Sequence, residues 1–373
     1  MAKVLVLCEY ASLNGGERSL LTVLQHGLAD HARIQVACPR HGPLAETLVR
    51  SGIAHRPLDL QAPHGARLPL ADCRSRLRRL IDAVQPDLVH ANSLAMSRLV
   101  GPVIAERSLP GLGHLRDILR INRRVVDDLN RHARLIAVSQ ATEQWYVDLG
   151  VDPQRLHVVH NGVDLKRFCP RPATGYLHRL WNLPPATMLI GTIGQIGMRK
   201  GLDVLLDAAA EVVQREPAVC FVIVGQRYSQ KAEALEYETR LHERASHPDL
   251  QGRVRFLGLR DDIAELMNEL TLLVHPARQE PLGRVLLEAA ASGVPIVATC
   301  VGGTPEILAH DRSARLVPPD DGQALADAML GLLADPASRQ RLAQSARQQA
   351  ATRFDANTAA RALADQYQMV LRC

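Results

Sequence analysis

The run Leu272-Leu273-Val274-His275-Pro276-Ala277-Arg278-Gln279-Glu280-Pro281-Leu282-Gly283-Arg284-Val285-Leu286-Leu287-Glu288-Ala289 reads as a strand, a loop and the start of a helix. Leu272–His275 is a short apolar run of the kind that lies inside a parallel sheet covered on both faces. The helix opens at about Gly283. Its first amide groups have no partner within the helix, and the helix dipole adds to them, so the opening suits a diphosphate. Gly283 has no side chain and lets the backbone approach a ligand closely. Glu280, on the loop, is placed to hold sugar hydroxyls. Glu288 sits among apolar residues ahead of Ala289-Ala290-Ala291-Ser292-Gly293. A carboxylate buried there needs a partner, and a ribose could supply one.

Outward from this block the same alternation recurs. The first half predicts strands at Lys3–Cys8, Ile34–Cys38, His55–Leu58, Asp87–His90, Arg134–Val138 and Leu156–His160. Helices fall between them at Glu17–Leu28, Leu44–Ser51, Leu77–Val84 and from Gln140. Residues 169–187 break the rhythm with Pro170, Pro172, Gly175, Pro184 and Pro185, and read as a linker. Strands then resume at Met188–Thr192, Cys220–Val224, Val254–Leu257, Leu272–His275 and Pro295–Ala298. Helices are expected at Leu202–Val213, Asp262–Leu270, Arg284–Ala291 and Phe354–Leu371. This pattern predicts an α/β protein with two doubly wound domains, residues 1–168 and 188–350, and a final segment, 351–373. Two such halves are expected to face each other across a ligand cleft.

The chain has 373 residues, enough for two domains of ordinary size. Aromatic residues make up only 3%, which argues against the stacking platforms of single-stranded nucleic-acid binders. Cys8, Cys38, Cys73, Cys169, Cys220, Cys300 and Cys373 are scattered, with no pair spaced as in a zinc or redox site. Their usage points to a reducing, cytoplasmic compartment. No signal segment or membrane span is read, so a soluble or peripheral protein is expected. The net charge of +5 divides as about +6 on residues 1–168 and about −1 on the rest. Arg74, Arg76, Arg78 and Arg79, interleaved with Leu77, Leu80 and Ile81, could rest on the anionic cytoplasmic face of a membrane; a solvated helix face is the plainer reading.

The block at 279–289 resembles the donor-site motif of retaining glycosyltransferases of family four. Arg253-Val254-Arg255-Phe256-Leu257-Gly258, Phe221-Val222-Ile223-Val224-Gly225, Gly293-Val294-Pro295-Ile296-Val297-Ala298 and Gly302-Gly303-Thr304-Pro305-Glu306 are similar to other stretches of that family, as is the Asn161-Gly162-Val163-Asp164 turn. The resemblance implies the GT-B fold, two Rossmann-like domains facing across a cleft, with the last helix packing back on the first domain. It also implies retaining transfer of a sugar from a nucleoside-diphosphate sugar to an acceptor hydroxyl, with no metal and no other cofactor. The acceptor could be a glycan, a lipid-linked species or a small molecule, and no nucleic acid is involved.

Residue by residue, the resemblance places Glu280, Leu282, Gly283 and Arg284 near the donor sugar and diphosphate, and Glu288 on the ribose. Leu257 and Gly225 fall near the nucleotide. Lys200 looks like the lysine that faces the diphosphate. Gln195 stands where the family often has an arginine, and Arg199 or Arg284 could make good the missing charge. Asn14-Gly15-Gly16 is similar to the family's glycine loop. His114, in His114-Leu115-Arg116-Asp117, resembles a histidine contacting a donor-sugar hydroxyl, with Asp117 and Asn161 as further candidates on the acceptor side. His114, Lys200 and Glu280 are thus the expected catalytic residues.

Three rivals remain. A dehydrogenase requires a Gly-x-Gly-x-x-Gly turn, but Gly191, Gly194 and Gly197 are spaced by three. A nucleotide-sugar epimerase or a phosphorylase would share the fold without the 279–289 block. A catalytically idle binding module is favoured only by Gln195.

Overall fold

The structure is a computed structural model that describes residues 1–62 and 66–372. Cys373 lies outside the described residues; the other six cysteines are free thiols. Two compact units are present, one made of Met1–Gly162 with Ala356–Cys373, the other of Val163–Asp355.

Among the described residues, the first unit has strands β1 (Lys3–Leu7), β2 (Arg33–Cys38), β3 (Ala54–Pro57), β4 (Leu88–Ala91), β5 (Gly111–Leu115), β6 (Arg134–Ala137) and β7 (Leu156–Val158). They form one parallel sheet in the order 3-2-1-4-5-6-7. The second unit has β8 (Met188–Ile193), β9 (Val219–Val224), β10 (Val254–Gly258), β11 (Leu272–His275), β12 (Ile296–Thr299) and β13 (Arg315–Val317), parallel in the order 10-9-8-11-12-13. In each sheet the winding reverses once, between β1 and β4 and between β8 and β11. Ligands of open parallel sheets bind at such reversals, beyond the carboxyl ends of the strands.

Strand β5 carries no strand signature, because Gly111-Leu112-Gly113-His114-Leu115 lacks β-branched residues. Packing explains it. A Cβ at Gly111 would stand 2.1 Å from Ile104 Cδ1, and one at Gly113 2.6 Å from Leu135 Cδ2. The glycines let helix Leu94–Ala105 and the β6 side chains press onto the strand. His114 is the fourth residue of β5.

The stretch 169–187, read as a linker, belongs to the second unit. The Glu269 carboxylate accepts from Thr174 N (2.6 Å), Thr174 Oγ1 (2.8 Å) and Gly175 N (3.0 Å), and Asn268 Oδ1 accepts from Arg171 N at 2.7 Å. Prolines interrupt the helix pattern there, but the backbone is still satisfied by side chains of this unit. The boundaries read at 168 and 351 fall instead at Gly162 and Asp355. Helix Pro336–Arg353 stops before Phe354, and the final helix starts afresh at Ala356. That last helix contributes Ala359, Ala360, Leu363, Ala364, Tyr367 and Val370 to a core shared with Val4, Val6, Leu20 and Val36 of the first unit.

Helix Leu70–Val84 commits much of its charge internally. Arg74 pairs with Asp128 at 2.8 Å, Arg76 donates to Asp59 O at 2.7 Å, and Arg78 makes a two-pronged pair with Glu106 at 2.9 and 2.8 Å. Among the described residues, no helix is long and apolar enough to cross a membrane.

Candidate functional site

In the second unit, most of the residues singled out lie on loops at the carboxyl ends of the strands. Gly194, Gln195, Arg199 and Lys200 follow β8, Gly225 follows β9, Leu257 is in β10, and Glu280 follows β11. Three glycines hold this rim together. A Cβ at Gly225 would lie 1.8 Å from Gly194 O, one at Gly201 2.0 Å from Pro276 O, and one at Gly302 2.0 Å from Glu280 O. Each loop thus sits directly against a carbonyl of its neighbour, and only glycine leaves room.

Across the β8–β11 reversal, the Lys200 ammonium donates to Glu280 Oε2 at 2.5 Å. His275, the last residue of β11, places Nε2 2.8 Å from the same oxygen. All three side chains are nearly buried, at 13%, 9% and 3% exposure. Burial alone would raise the Glu280 carboxyl, but the Lys200 charge and the His275 hydrogen bond hold it well below the ordinary carboxylate range. Burial lowers Lys200, with Glu280 opposing. Burial and then the Lys200 charge lower His275. The result is a carboxylate with a fixed proton donor on one side and an ammonium on the other. Lys200 has three N–H donors, so it can serve Glu280 and still face an anion.

Arg278 braces this pair, a role the sequence did not suggest. Its side chain grips Asp203 at 2.9 and 2.7 Å and donates to Met198 O at 2.7 Å, while its amide donates to Arg199 O at 2.8 Å. The turn carrying Lys200 is thereby fastened to the loop carrying Glu280.

Gly283 caps the helix Arg284–Ala291 with φ +104°, and a Cβ there would lie 3.5 Å from Glu280 Cγ. Leu282 is buried at 1% exposure. Arg284 pairs within its own helix. Its guanidinium lies 2.5 Å from Glu288 Oε1, one turn on, which supplies the buried carboxylate with its partner. Replacing Glu288 with alanine is expected to leave the unit folded and weaken nucleoside-diphosphate affinity about tenfold, the loss of one charge-assisted hydrogen bond. Titration calorimetry with UDP and GDP measures this, and unchanged affinity for every nucleotide that binds would remove Glu288 from the site.

In the first unit, Gly15 and Gly16 begin helix Gly15–Gln25 after β1, with Asn14 as the residue before the helix. Asn14 Oδ1 is buried without a partner among the described residues. Arg116 gathers the other candidates. It donates to Asn92 O (3.1 Å), Asn92 Oδ1 (2.8 Å) and Asn161 Oδ1 (2.9 Å), and its NH2 lies 3.1 Å from His114 Nδ1. Burial lowers its pKa to about 10. A Cβ on Gly16 would reach within 3.0 Å of Arg116 Cδ, so that glycine makes room for the guanidinium. A Cβ on Gly15 would meet nothing within 4 Å, and Asp117 is exposed. Asn92 and Arg116 were missed because neither has a distinctive spacing, although Arg116 lies between two residues that were named.

Among its described residues this unit also buries three neutral imidazoles. Burial, then Arg116, takes His90 down to about 3, and burial takes His132 down to about 4. Burial likewise carries His114 well below its ordinary value. Unfolded histidines protonate near 6.5, so this contribution is complete at neutral pH and is lost as pH falls from about 6.5 toward the folded values. His90 and His132 should each cost about 2 kcal/mol at pH 5. Glu9 and Glu17, raised by burial, offset part of this just above the ordinary carboxylate range. Urea unfolding of the first unit at pH 7 and pH 5 is the check; equal midpoints would contradict neutral buried rings.

With this geometry in hand, comparison with known proteins gives a consistent result. Residues 13–167 match the family model "Glycosyltransferase Family 4" and residues 187–335 match "Glycosyl transferases group 1". A D-inositol 3-phosphate glycosyltransferase 2 from Catenulispora acidiphila is 32% identical over 306 residues, which is 75% of this chain and 70% of that protein. The D-inositol 3-phosphate glycosyltransferase of Corynebacterium urealyticum is 34% identical over 61% of this chain; the match spans about half of that relative's length, 55%. Anabaena Alr3699/HepE, solved in complex with UDP and glucose, superposes with a TM-score of 0.88 at 26% identity, covering 99% of this chain and 100% of that one. The two units are the paired Rossmann-like domains of the GT-B class. The chain belongs to glycosyltransferase family four, the group 1 glycosyl transferases.

Proposed function

We propose that this protein transfers a glycosyl group from a nucleoside-diphosphate sugar to an acceptor hydroxyl, with retention and without a metal ion. The second unit takes the donor and the first unit takes the acceptor. The bond from the anomeric carbon to the diphosphate breaks, a bond to the acceptor oxygen forms on the same face, and the acceptor proton passes to the departing diphosphate. Lys200 and the amides opening helix Arg284–Ala291 stabilise the charge that builds on that diphosphate. Glu280 holds sugar hydroxyls as an acceptor, a role suited to a carboxylate that stays ionised. His114 donates to the sugar.

The observation that carries this reading is the Lys200–Glu280–His275 cluster at the sheet's winding reversal. The complex of the Anabaena relative with UDP and glucose supports the donor class. The test is donor turnover with UDP- and GDP-linked hexoses in EDTA, with the anomeric configuration of the product read by NMR. Retained configuration in EDTA agrees with the proposal. Loss of turnover in EDTA, restored by a divalent ion, would reject the metal-free mechanism. Inverted product would reject retention.

A further inference from the structure

We propose that Arg116 is a positioning residue that fixes the proton of His114 on Nε2, so that this ring offers one N–H donor to the substrate. The proposal rests on the reading of His114 as a substrate-contacting residue and adds how that residue is held. Arginine has five N–H donors and no acceptor, so the His114 nitrogen facing it must present a lone pair. That nitrogen is Nδ1, 3.1 Å from Arg116 NH2. The neutral ring must then carry its proton on Nε2. Nε2 is buried and has no hydrogen-bond partner among the described residues.

The guanidinium cannot easily turn away. Asn92, in the loop after β4, accepts through both its backbone and its side-chain oxygen, and Asn161, after β7, accepts from NH1. On the other side, the His90 ring lies against the His114 ring, with centroids 5.6 Å apart and an angle of 22°. His90 is itself held by the Tyr367 hydroxyl at 2.8 Å. Both the edge and the face of His114 are therefore fixed, while Nε2 is left unpaired. A buried donor without a partner is costly and rare unless a ligand completes it. The ring acts by donating a hydrogen bond, not by releasing a proton.

The test is long-range proton–nitrogen NMR of the full chain labelled with ¹⁵N-histidine at pH 8, with the His114 signal assigned by its loss in His114→Gln. The native protein should show the proton on Nε2, and Arg116→Met should show the Nδ1–H form or a mixture. Arg116→Lys, which keeps a donor, should retain the Nε2–H form. A proton on Nδ1 in the native protein would overturn the proposal, even if Arg116→Met does not fold. So would an unchanged signal in folded Arg116→Met. That variant should also lose about tenfold to hundredfold in kcat with the sugar nucleotide, while affinity for the bare nucleoside diphosphate is unchanged. Full turnover by His114→Ala would remove the substrate contact yet leave the NMR result standing, so the two readings can fail separately.

Discussion

Replacing Gly225 with alanine should destabilise the second unit by about 4 kcal/mol or more, a large share of a typical domain's total stability. Gly225 has φ +136°, where a side chain is strained, and its Cβ would be 1.8 Å from Gly194 O. The obstacle is backbone in the loop after β8, which cannot swing aside as a side chain could. Gly258 is the control. It also has positive φ, +64°, but nothing lies within 4 Å of its Cβ position. Alanine there should cost only about 1 kcal/mol, the strain of the left-handed conformation alone. Urea unfolding of both variants separates close approach from backbone strain. Equal losses would mean that the contact between the β8 and β9 loops contributes nothing.

The second large effect is expected from Glu280→Gln. The change preserves shape and removes the charge that balances Lys200. Breaking a buried pair by removing one partner costs about 3–5 kcal/mol, because the remaining charge has lost its compensation. Part of this is relieved if Lys200 gives up its proton, since burial already lowers it. Turnover should fall by about a thousandfold, as when a group stabilising the transition state is lost. The double variant Glu280→Gln with Lys200→Met should be less destabilised than the two single changes together. Additive losses would show that the residues act independently, contrary to their 2.5 Å contact.

Much of the fold was legible because buried parallel strands are continuous apolar runs, as in Val219-Cys220-Phe221-Val222-Ile223-Val224. Strand β5 was not, since its glycines serve the packing of Ile104 and Leu135, residues distant in sequence. Helix Leu94–Ala105 was missed for a related reason. It is apolar nearly all round and contains Gly101 and Pro102, so it shows little amphipathic rhythm. Glu280 was named from its loop and Lys200 from the family resemblance, but their pairing joins residues 80 positions apart and emerges only from the sheet order. The pair of Arg284 with Glu288, four residues along the same helix, was likewise not read from the sequence. His114 could be named from sequence, but the position of its proton depends on where Arg116 points.

The final helix has a consequence for the order in which the protein is made. Residues 356–372 supply core side chains to a sheet whose first strand is Lys3–Leu7. The second unit, Val163–Asp355, is one continuous stretch of chain. The first unit, although translated earlier, waits with the surface around Val4, Leu20 and Val36 uncovered until Tyr367 and Val370 arrive. Domains usually complete in the order of translation. Here the first unit, although translated first, completes its core only with the last helix.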